Sequence, residues 1–474
     1  MNHTERLSND QTPTRIEKDL LGKQAVPATA LYGIQTQRAY QNFNITGVSI
    51  SHFPELIRAL AMVKSAAAKA NHRYDLLSDA KLSAITDACT DIINGEYHEQ
   101  FIVDLIQGGA GTSTNMNANE VIANIGLAKM GLKYGQYEYL HPNNDVNRSQ
   151  STNDVYPSAA RLAIVFAAAP LKETIINLQG SLIDKAEAFS GVLKMGRTQL
   201  QDAVPMTLGQ EFRAFASDIG SEIAQIEQAC LQLCELNLGG TAIGTGINAP
   251  KGYAAVAIDE LVTISDLPVK TAEDLIAASA DMGAFVAFSG TLKRLSIKLS
   301  KLSNDLRLLS SGPRTGFGEI NLPAMQPGSS IMPGKVNPVI PEAMNQAAFQ
   351  VMGTDTTITM AAEAGQLQLN AMEPLIVYNL LNNTRILEKS IRMLDERCIQ
   401  GITANETRCA QHVENSIGIV TALVPHIGYE NASRIAGHAL LSGSGVAELV
   451  KQEKLLSDEA LAAILSPDTM VSSL

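Results

Sequence analysis

The 474-residue chain contains no Trp, and Phe and Tyr together make up only 5% of it. A core built on large aromatic rings is not what such a composition favours. Plentiful Ala, Leu and Met suit close helix–helix packing instead. Cysteine is scarce as well: Cys89, Cys230, Cys234, Cys398 and Cys409 are scattered, odd in number and without a CxxC pair. That pattern speaks against both a disulfide framework and a zinc site. Cys230 and Cys234, four apart in a helical pattern, read as core, and reduced thiols imply a cytoplasmic address. A basic excess is also missing. The formal net charge of −12 argues against nucleic acid as partner, whose phosphates demand a basic surface. A small anion in a locally positive cleft is still compatible with it. No apolar run reaches the roughly 18 residues of a membrane span. The polar, charged stretch Met1 to Lys18 lacks the apolar segment of a signal peptide.

The length exceeds the roughly 250–300 residues at which one core stops growing. Three regions are expected: a mainly helical 1–147, a central long-helix bundle 148–402, and a small helical 403–474. Residues 1–13 are polar and predicted to be disordered. From Ile16 to about Asn147 short helices such as Leu56 to Asn71 alternate with turns, and no strand–helix alternation points to a parallel sheet. The middle differs. Leu292, Leu295, Leu299, Leu302, Leu306 and Leu309 repeat at 3-4-3-4-3 spacing, an a/d seam. Phe212, Phe215, Ile219, Ile223, Ile226, Cys230 and Leu233 mark a second long helix. Leu171, Ile175, Leu178 and Leu182 mark a third, with Pro170 suited to its first turn. Two more follow, near 341–365 and 373–399. Helices of this length predict a bundle. Apolar residues on more than one face, such as Phe285, Val286 and Phe288 beside the leucine seam, predict burial against sister subunits.

Four segments rich in Gly, hydroxyl and amide residues interrupt this background: 108–120, 141–154, 196–202 and 328–338. Three run into helix amino termini. Ser, Thr and Asn there serve as plain N-caps, or their hydroxyls and the unpaired N–H groups bind carboxylates. In the last segment Gly328 and Gly334 bracket Ser329, Ser330 and Met332, and Lys335 and Asn337 follow at spacings suited to one anion. Glycine-containing loops of this kind are often lids.

Gly328-Ser-Ser-Ile-Met-Pro-Gly-Lys-Val-Asn-Pro338 matches GSxxMPxKxNP at seven fixed positions in eleven and so resembles the signature loop of the fumarase/aspartase superfamily. The other three segments resemble that superfamily's blocks in the expected order, from about Arg15 to about residue 465. Within it, Met195-Gly-Arg-Thr-Gln-Leu-Gln-Asp-Ala-Val-Pro-Met-Thr-Leu-Gly-Gln-Glu-Phe212 and Ala361-Ala-Glu-Ala-Gly-Gln-Leu-Gln-Leu-Asn-Ala-Met-Glu-Pro374 look like the aspartate ammonia-lyases. Fumarases, and some other aspartases, carry His where Gln199 stands. Asn237-Leu-Gly-Gly-Thr-Ala-Ile-Gly-Thr-Gly246 fits both branches, and Gly334 stands where some members have Ala.

The resemblance implies a mainly α, three-region fold with a multi-helix tetramer core and active sites shared between subunits. It also implies anti elimination of ammonia from L-aspartate to give fumarate, with no required cofactor and no metal site. By motif, Ser329 is the general base. Thr112, Ser151, Thr152 and Ser330 hold the β-carboxylate; Thr198, Lys335 and Asn337 hold the α-carboxylate. Asn153, with Gln199 nearby, meets the amino group. His141 lies in a block that resembles a second, peripheral carboxylate site of fumarases. A class II fumarase is the alternative, and a non-catalytic helical scaffold a third reading; both lead to the same substrate comparison.

Overall fold

In the computed structural model, which describes residues 13–466 and Thr469, helices dominate the chain. Apart from Pro13, the stretch expected to be disordered lies outside the described residues. Strand is confined to two-stranded pairs, and the one parallel pair among the described residues is two residues long. The long helices are α5 (Thr152–Ala188), α6 (Leu208–Leu233), α9 (Gly283–Leu309), α10 (Val339–Glu363) and α11 (Glu373–Arg397). Every leucine of the 3-4 seam on α9 is buried, each contributing roughly 2 kcal/mol of transfer free energy.

One expectation needs correction. Pro170 does not open a helix. It lies inside α5, as does Pro157. The segment Val155 to Ala169 is rich in alanine and largely buried, so helix propensity and packing together outweigh the roughly 3 kcal/mol that an interior proline costs. Pro157 has a further consequence. It has no N–H for the carbonyl four residues back, and that carbonyl, Asn153 O, instead accepts from Asn237 Nδ2 at 2.9 Å.

The chain divides into two compact units, and the cuts fall inside the five long helices. The first unit comprises the chain up to Pro170, Gln225–Leu292 and Gly353–Arg385. It starts with the hairpin β1 (Thr14–Asp19) and β2 (Gly22–Pro27), followed by α1 (Ile34–Asn42), α2 (Pro54–Arg73), α3 (Asp79–Ile93) and α4 (Thr112–Lys129). Helix α2 packs against α3 and α7 (Tyr253–Ser265), which the short α8 (Leu275–Ala280) follows; the buried positions of α2 include Leu56, Leu60, Val63 and a set of alanines that permits close approach. On α4 a Cβ at Gly126 would meet Leu140 Cδ2 at 2.5 Å and the Ala84 carbonyl at 3.3 Å, so α3 and α4 pack this closely only because that position has no side chain. Glu120 of α4 accepts from the backbone N–H groups of Gly33, Gln35 and Thr36 at 2.7–3.1 Å and so holds the start of α1.

The second unit comprises Leu171–Ala224, Lys293–Met352 and Ile386–Leu474. It contains the hairpin β3 (Leu193–Thr198) and β4 (Gln201–Thr207) and the short helices α12 (Glu406–Asn415), α13 (Val420–Ile427), α14 (Tyr429–Ser442), α15 (Val446–Gln452) and α16 (Asp458–Ile464). These short helices share a core of Val413, Leu423, Ile435, Leu449 and Leu461 with Met195 of β3.

Candidate active site

The candidate residues fall into two groups, one in each unit. Thr112, Ser151, Thr152 and Asn153 belong to the first; Thr198, Gln199, Ser329, Ser330, Lys335 and Asn337 belong to the second. Three of the four polar segments precede or open helices, as their composition predicts. The third is a hairpin turn.

Thr112 is the first residue of α4, exposed, with Oγ1 donating to the Gly109 carbonyl at 2.7 Å. Ser151 precedes α5 and acts as its N-cap: Oγ accepts from Asn153 N at 3.2 Å, while Asp154 Oδ1 accepts from Ser151 N at 2.9 Å. Asp154 thus supplies one half of a capping box, while Ser151 Oγ takes the N–H of Asn153 and not that of Asp154. The bond from Asn153 uses only the lone pairs of Ser151 Oγ and leaves the hydroxyl hydrogen to be donated. Asn153 Nδ2 donates to Ala242 O at 2.8 Å, an arrangement that reserves Oδ1 as an acceptor.

Asp154 is fully buried, and its Oδ2 accepts from Gly239 N and Thr241 N at 3.0 Å each. Burial pushes its pKa up to about 6 against those N–H groups. Lys64 of α2 is also fully buried, donating to Asn147 Oδ1 at 2.8 Å and Gln150 Oε1 at 2.9 Å. Burial draws it down to about 7, with the Asp154 charge working the other way. Asn147 Oδ1 accepts two further bonds, from Asn115 Nδ2 and Asn119 Nδ2 at 3.2 Å each, and Asn115 Nδ2 reaches Thr152 Oγ1 at 3.0 Å. His141 Nδ1 accepts from Asn143 N and Asn144 N at 3.0 and 3.2 Å. It caps the short turn Pro142–Val146, and burial lowers its pKa.

In the second unit, Thr198 ends β3 and pairs with Gln201 across a two-residue turn. Gln199 and Leu200 both have left-handed φ, 53° and 62°, the geometry of a type I′ turn that ordinarily takes Asn-Gly. An L residue with a side chain pays roughly 1–2 kcal/mol there. The hairpin is braced from below. Glu319 is fully buried and receives Arg197 at 2.7 Å, Lys194 at 3.0 Å and His412 Nδ1 at 2.8 Å. Burial pushes its carboxyl up, but these partners together hold it below the ordinary value. The Arg197 guanidinium also stacks on Phe317 at 4.3 Å.

The loop 328–338 is largely exposed, with Ile331 82% accessible. It closes on itself: Gly328 N donates to Lys335 O, and Asn337 Nδ2 donates to Gly328 O, both at 2.7 Å. A Cβ at Gly328 would lie 2.6 Å from Asn337 N. Inside this noose Ser329 Oγ accepts from Ile331 N at 3.2 Å and Met332 N at 3.1 Å. Lys335 and Ser330 are exposed, and Gly334 has φ +80°. Among the described residues no cluster of three or more His, Cys, Asp and Glu side chains could hold a metal ion, and no helix is long and apolar enough to cross a membrane.

Sequence reading missed Lys64, Asn115, Asn147 and Asp154, together with the Glu319 cluster. One signal was available: Lys64 sits among Leu60, Val63, Ala67 and Ala68, where a lysine is unexpected without a partner.

Comparison with known proteins separates the branches. The family described as Lyase matches residues 22–353, and Fumarase C C-terminus matches 419–472. An aspartate ammonia-lyase from Pseudomonas canavaninivorans is 62% identical over 459 residues, 97% of each chain. Among solved structures, the fumarate lyase:delta crystallin from Brucella melitensis bound to cobalt superposes with a TM-score of 0.95 at 55% identity, covering 97% of this chain and 100% of that one. The class II fumarase from Schistosoma mansoni has a TM-score of 0.90, but its identity is only 36%, over 96% of this chain and 98% of its own. The fold is thus common to both branches, whereas the sequence sides with one, and the chain belongs to the fumarase/aspartase superfamily, in its aspartate ammonia-lyase branch.

Proposed function

We propose that the chain eliminates ammonia reversibly from L-aspartate to give fumarate, with Ser329 as the base. The observation that carries the chemistry is the pair of backbone N–H groups aimed at Ser329 Oγ. A serine hydroxyl is a poor base, and donors fixed on its oxygen stabilise the alkoxide form. The alkoxide takes the proton from Cβ, and the electron pair passes into the β-carboxylate as an aci-carboxylate dianion. Hydroxyls of Thr112, Ser151, Thr152 and Ser330 donate to that group. The α-carboxylate rests on Thr198, Lys335 and Asn337, and Asn153 and Gln199 accept from the ammonium. The Cα–N bond then breaks with its electrons going to nitrogen, the double bond forms, and neutral ammonia leaves.

Gln199 favours ammonia over water as the leaving group. Hydroxide loss from malate needs a general acid, whereas an ammonium is already protonated, so an amide that cannot titrate suffices. Thr112 must turn its hydrogen away from Gly109 O, whereas Asn337 Nδ2 has a second hydrogen for the carboxylate while the first stays on Gly328 O.

The reaction as proposed needs no cofactor. Sharing of sites between subunits of a homotetramer fits the exposed apolar residues Ile297 on α9 and Phe349 and Met360 on α10, and light scattering tests it. Five cysteines without disulfides fit a cytoplasmic address. The decisive assay offers L-aspartate and L-malate separately and follows fumarate by ultraviolet absorbance. Turnover of aspartate with ammonia release is expected. Turnover of malate alone would leave a fumarase, and binding of aspartate without turnover would leave the scaffold reading.

A further inference from the structure

We infer that Lys64 is a positioning residue: it sets the direction of a hydrogen-bond chain that ends at Thr152, and so points the Thr152 hydroxyl hydrogen toward the substrate carboxylate. The inference rests on the reading of Thr152 as a carboxylate ligand.

The hydrogen-bond chain begins at a side chain that only donates while it is protonated, and burial draws its pKa down to about 7. An ammonium has three N–H groups and no lone pair. Because Lys64 is buried against Asn147 and Gln150, both amides must turn their oxygens toward it. An Asn side chain is close to symmetric in shape, so packing alone does not decide which end faces which way. The cation decides it for Asn147.

From there the direction propagates. With Asn147 Oδ1 fixed as an acceptor, the neighbouring amides of Asn115 and Asn119 must present Nδ2 to it, each at 3.2 Å. Asn115 Nδ2 carries a second hydrogen, and that one reaches Thr152 Oγ1 at 3.0 Å. Thr152 is therefore the acceptor in this contact, and its own hydrogen must go elsewhere. Among the described residues no acceptor takes it. A donor-only group at one end of the chain thus produces a free donor at the other, which is what a developing dianion requires. Turning the chain round would set the Asn115 and Asn147 carbonyl oxygens against each other in a buried site, an arrangement with no hydrogen between them.

A lysine that merely propped the 147–152 segment would make a different prediction, because its loss would harm every function of the segment independently of Thr152. Double-variant cycles in the full-length enzyme separate the two cases. Thr152→Val removes the donor and should lower kcat/KM about 100-fold. Asn115→Asp keeps the shape but replaces the donating nitrogen by an acceptor. The Thr152 hydrogen is then drawn to residue 115, and kcat/KM should fall at least about tenfold. The Asn115→Asp, Thr152→Val double variant should be no worse than Thr152→Val within about twofold, since there is no hydroxyl left to misdirect. Lys64→Met should show the same masking by Thr152→Val. Asn115→Asp leaves the buried lysine in place, so the cycle can be read even if Lys64→Met does not fold.

A Thr152→Val enzyme with wild-type kinetics would overturn both the ligand reading and this inference. A damaging Thr152→Val combined with a neutral Asn115→Asp, or losses that multiply in the double variant, would overturn the inference alone.

Discussion

The 147–154 segment and the 328–338 loop both carry residues proposed to touch the same small substrate, yet they are built on opposite terms. The first is tied into buried structure. Asp154 gathers three backbone N–H groups, Lys64 gathers two amide oxygens, and Ser151 Oγ takes the N–H of Asn153. The second is bonded mainly to itself, with Ile331, Met332 and Val336 exposed. A group that must hold a carboxylate in one geometry gains from rigidity. A group that must approach Cβ, deprotonate it and then release product gains from freedom to move, and loops with few buried contacts supply it. On the proposed roles, geometry lies with one segment and chemistry with the other.

Substitutions can sharpen that contrast or break it. The largest effect is expected on the loop. Ser329→Ala should lower kcat on the order of 10³-fold, within the usual reach of general base catalysis, with the unfolding midpoint unchanged; near-normal turnover would remove Ser329 as the base. Next comes the anchored segment. Asp154→Ala orphans two buried N–H donors and one half-buried one and should cost about 3 kcal/mol of stability, seen as a drop of several degrees in thermal unfolding. An unchanged midpoint there would erase the distinction between the segments.

The same aspartate gives a pH test. Its pKa in the folded chain is about 6, above the ordinary 3.8, so the folded state holds this proton more tightly than the unfolded state. Its contribution to stability therefore falls as pH rises from about 4 through about 6 and is flat above. Denaturant titrations of Asp154→Asn across that range should lack this component of the slope. An identical slope in wild type and variant would refute it.

Smaller effects return to the loop. Lys335→Ala should raise KM for aspartate about 10- to 100-fold, the range of a hydrogen bond to a charged group, again without loss of stability. An unaltered KM would count against its role at the α-carboxylate. Gly334→Ala should do least. At φ +80° an alanine costs about 1 kcal/mol, which lowers the population of the observed loop conformation roughly fivefold. Limited proteolysis within 328–338 reads that population, and an unchanged cleavage rate would mean the glycine is not needed there.

Much of this was legible in the residues, for identifiable reasons. The leucine seam of α9 and the limits of α10 and α11 follow from period and composition, which act over a few turns. The polar segments announce helix starts because Ser, Thr and Asn compete for backbone N–H groups locally. Pro170 misled because a local rule met a buried, alanine-rich helix that overrode it. The hairpin at Gln199 and Leu200 was hidden because neither residue advertises a left-handed turn. Lys64 and Asp154 escaped because their partners are remote: Lys64 reaches residues 83 and 86 positions away, and Asp154 residues 85 and 87 away. The Glu319 brace spans 122 positions to Arg197 and 93 to His412.

What the amino-acid sequence determined unaided was the helical class, the long-helix centre and the polar segments from which the carboxylate ligands are proposed, since periodicity, capping and motif all act within a few turns of chain. Which of those residues are anchored and which stand exposed, and which buried charges lie beside them, was decided only by tertiary structure. A hydrogen bond's direction depends on what lies at its other end, and here that end is usually a distant part of the chain.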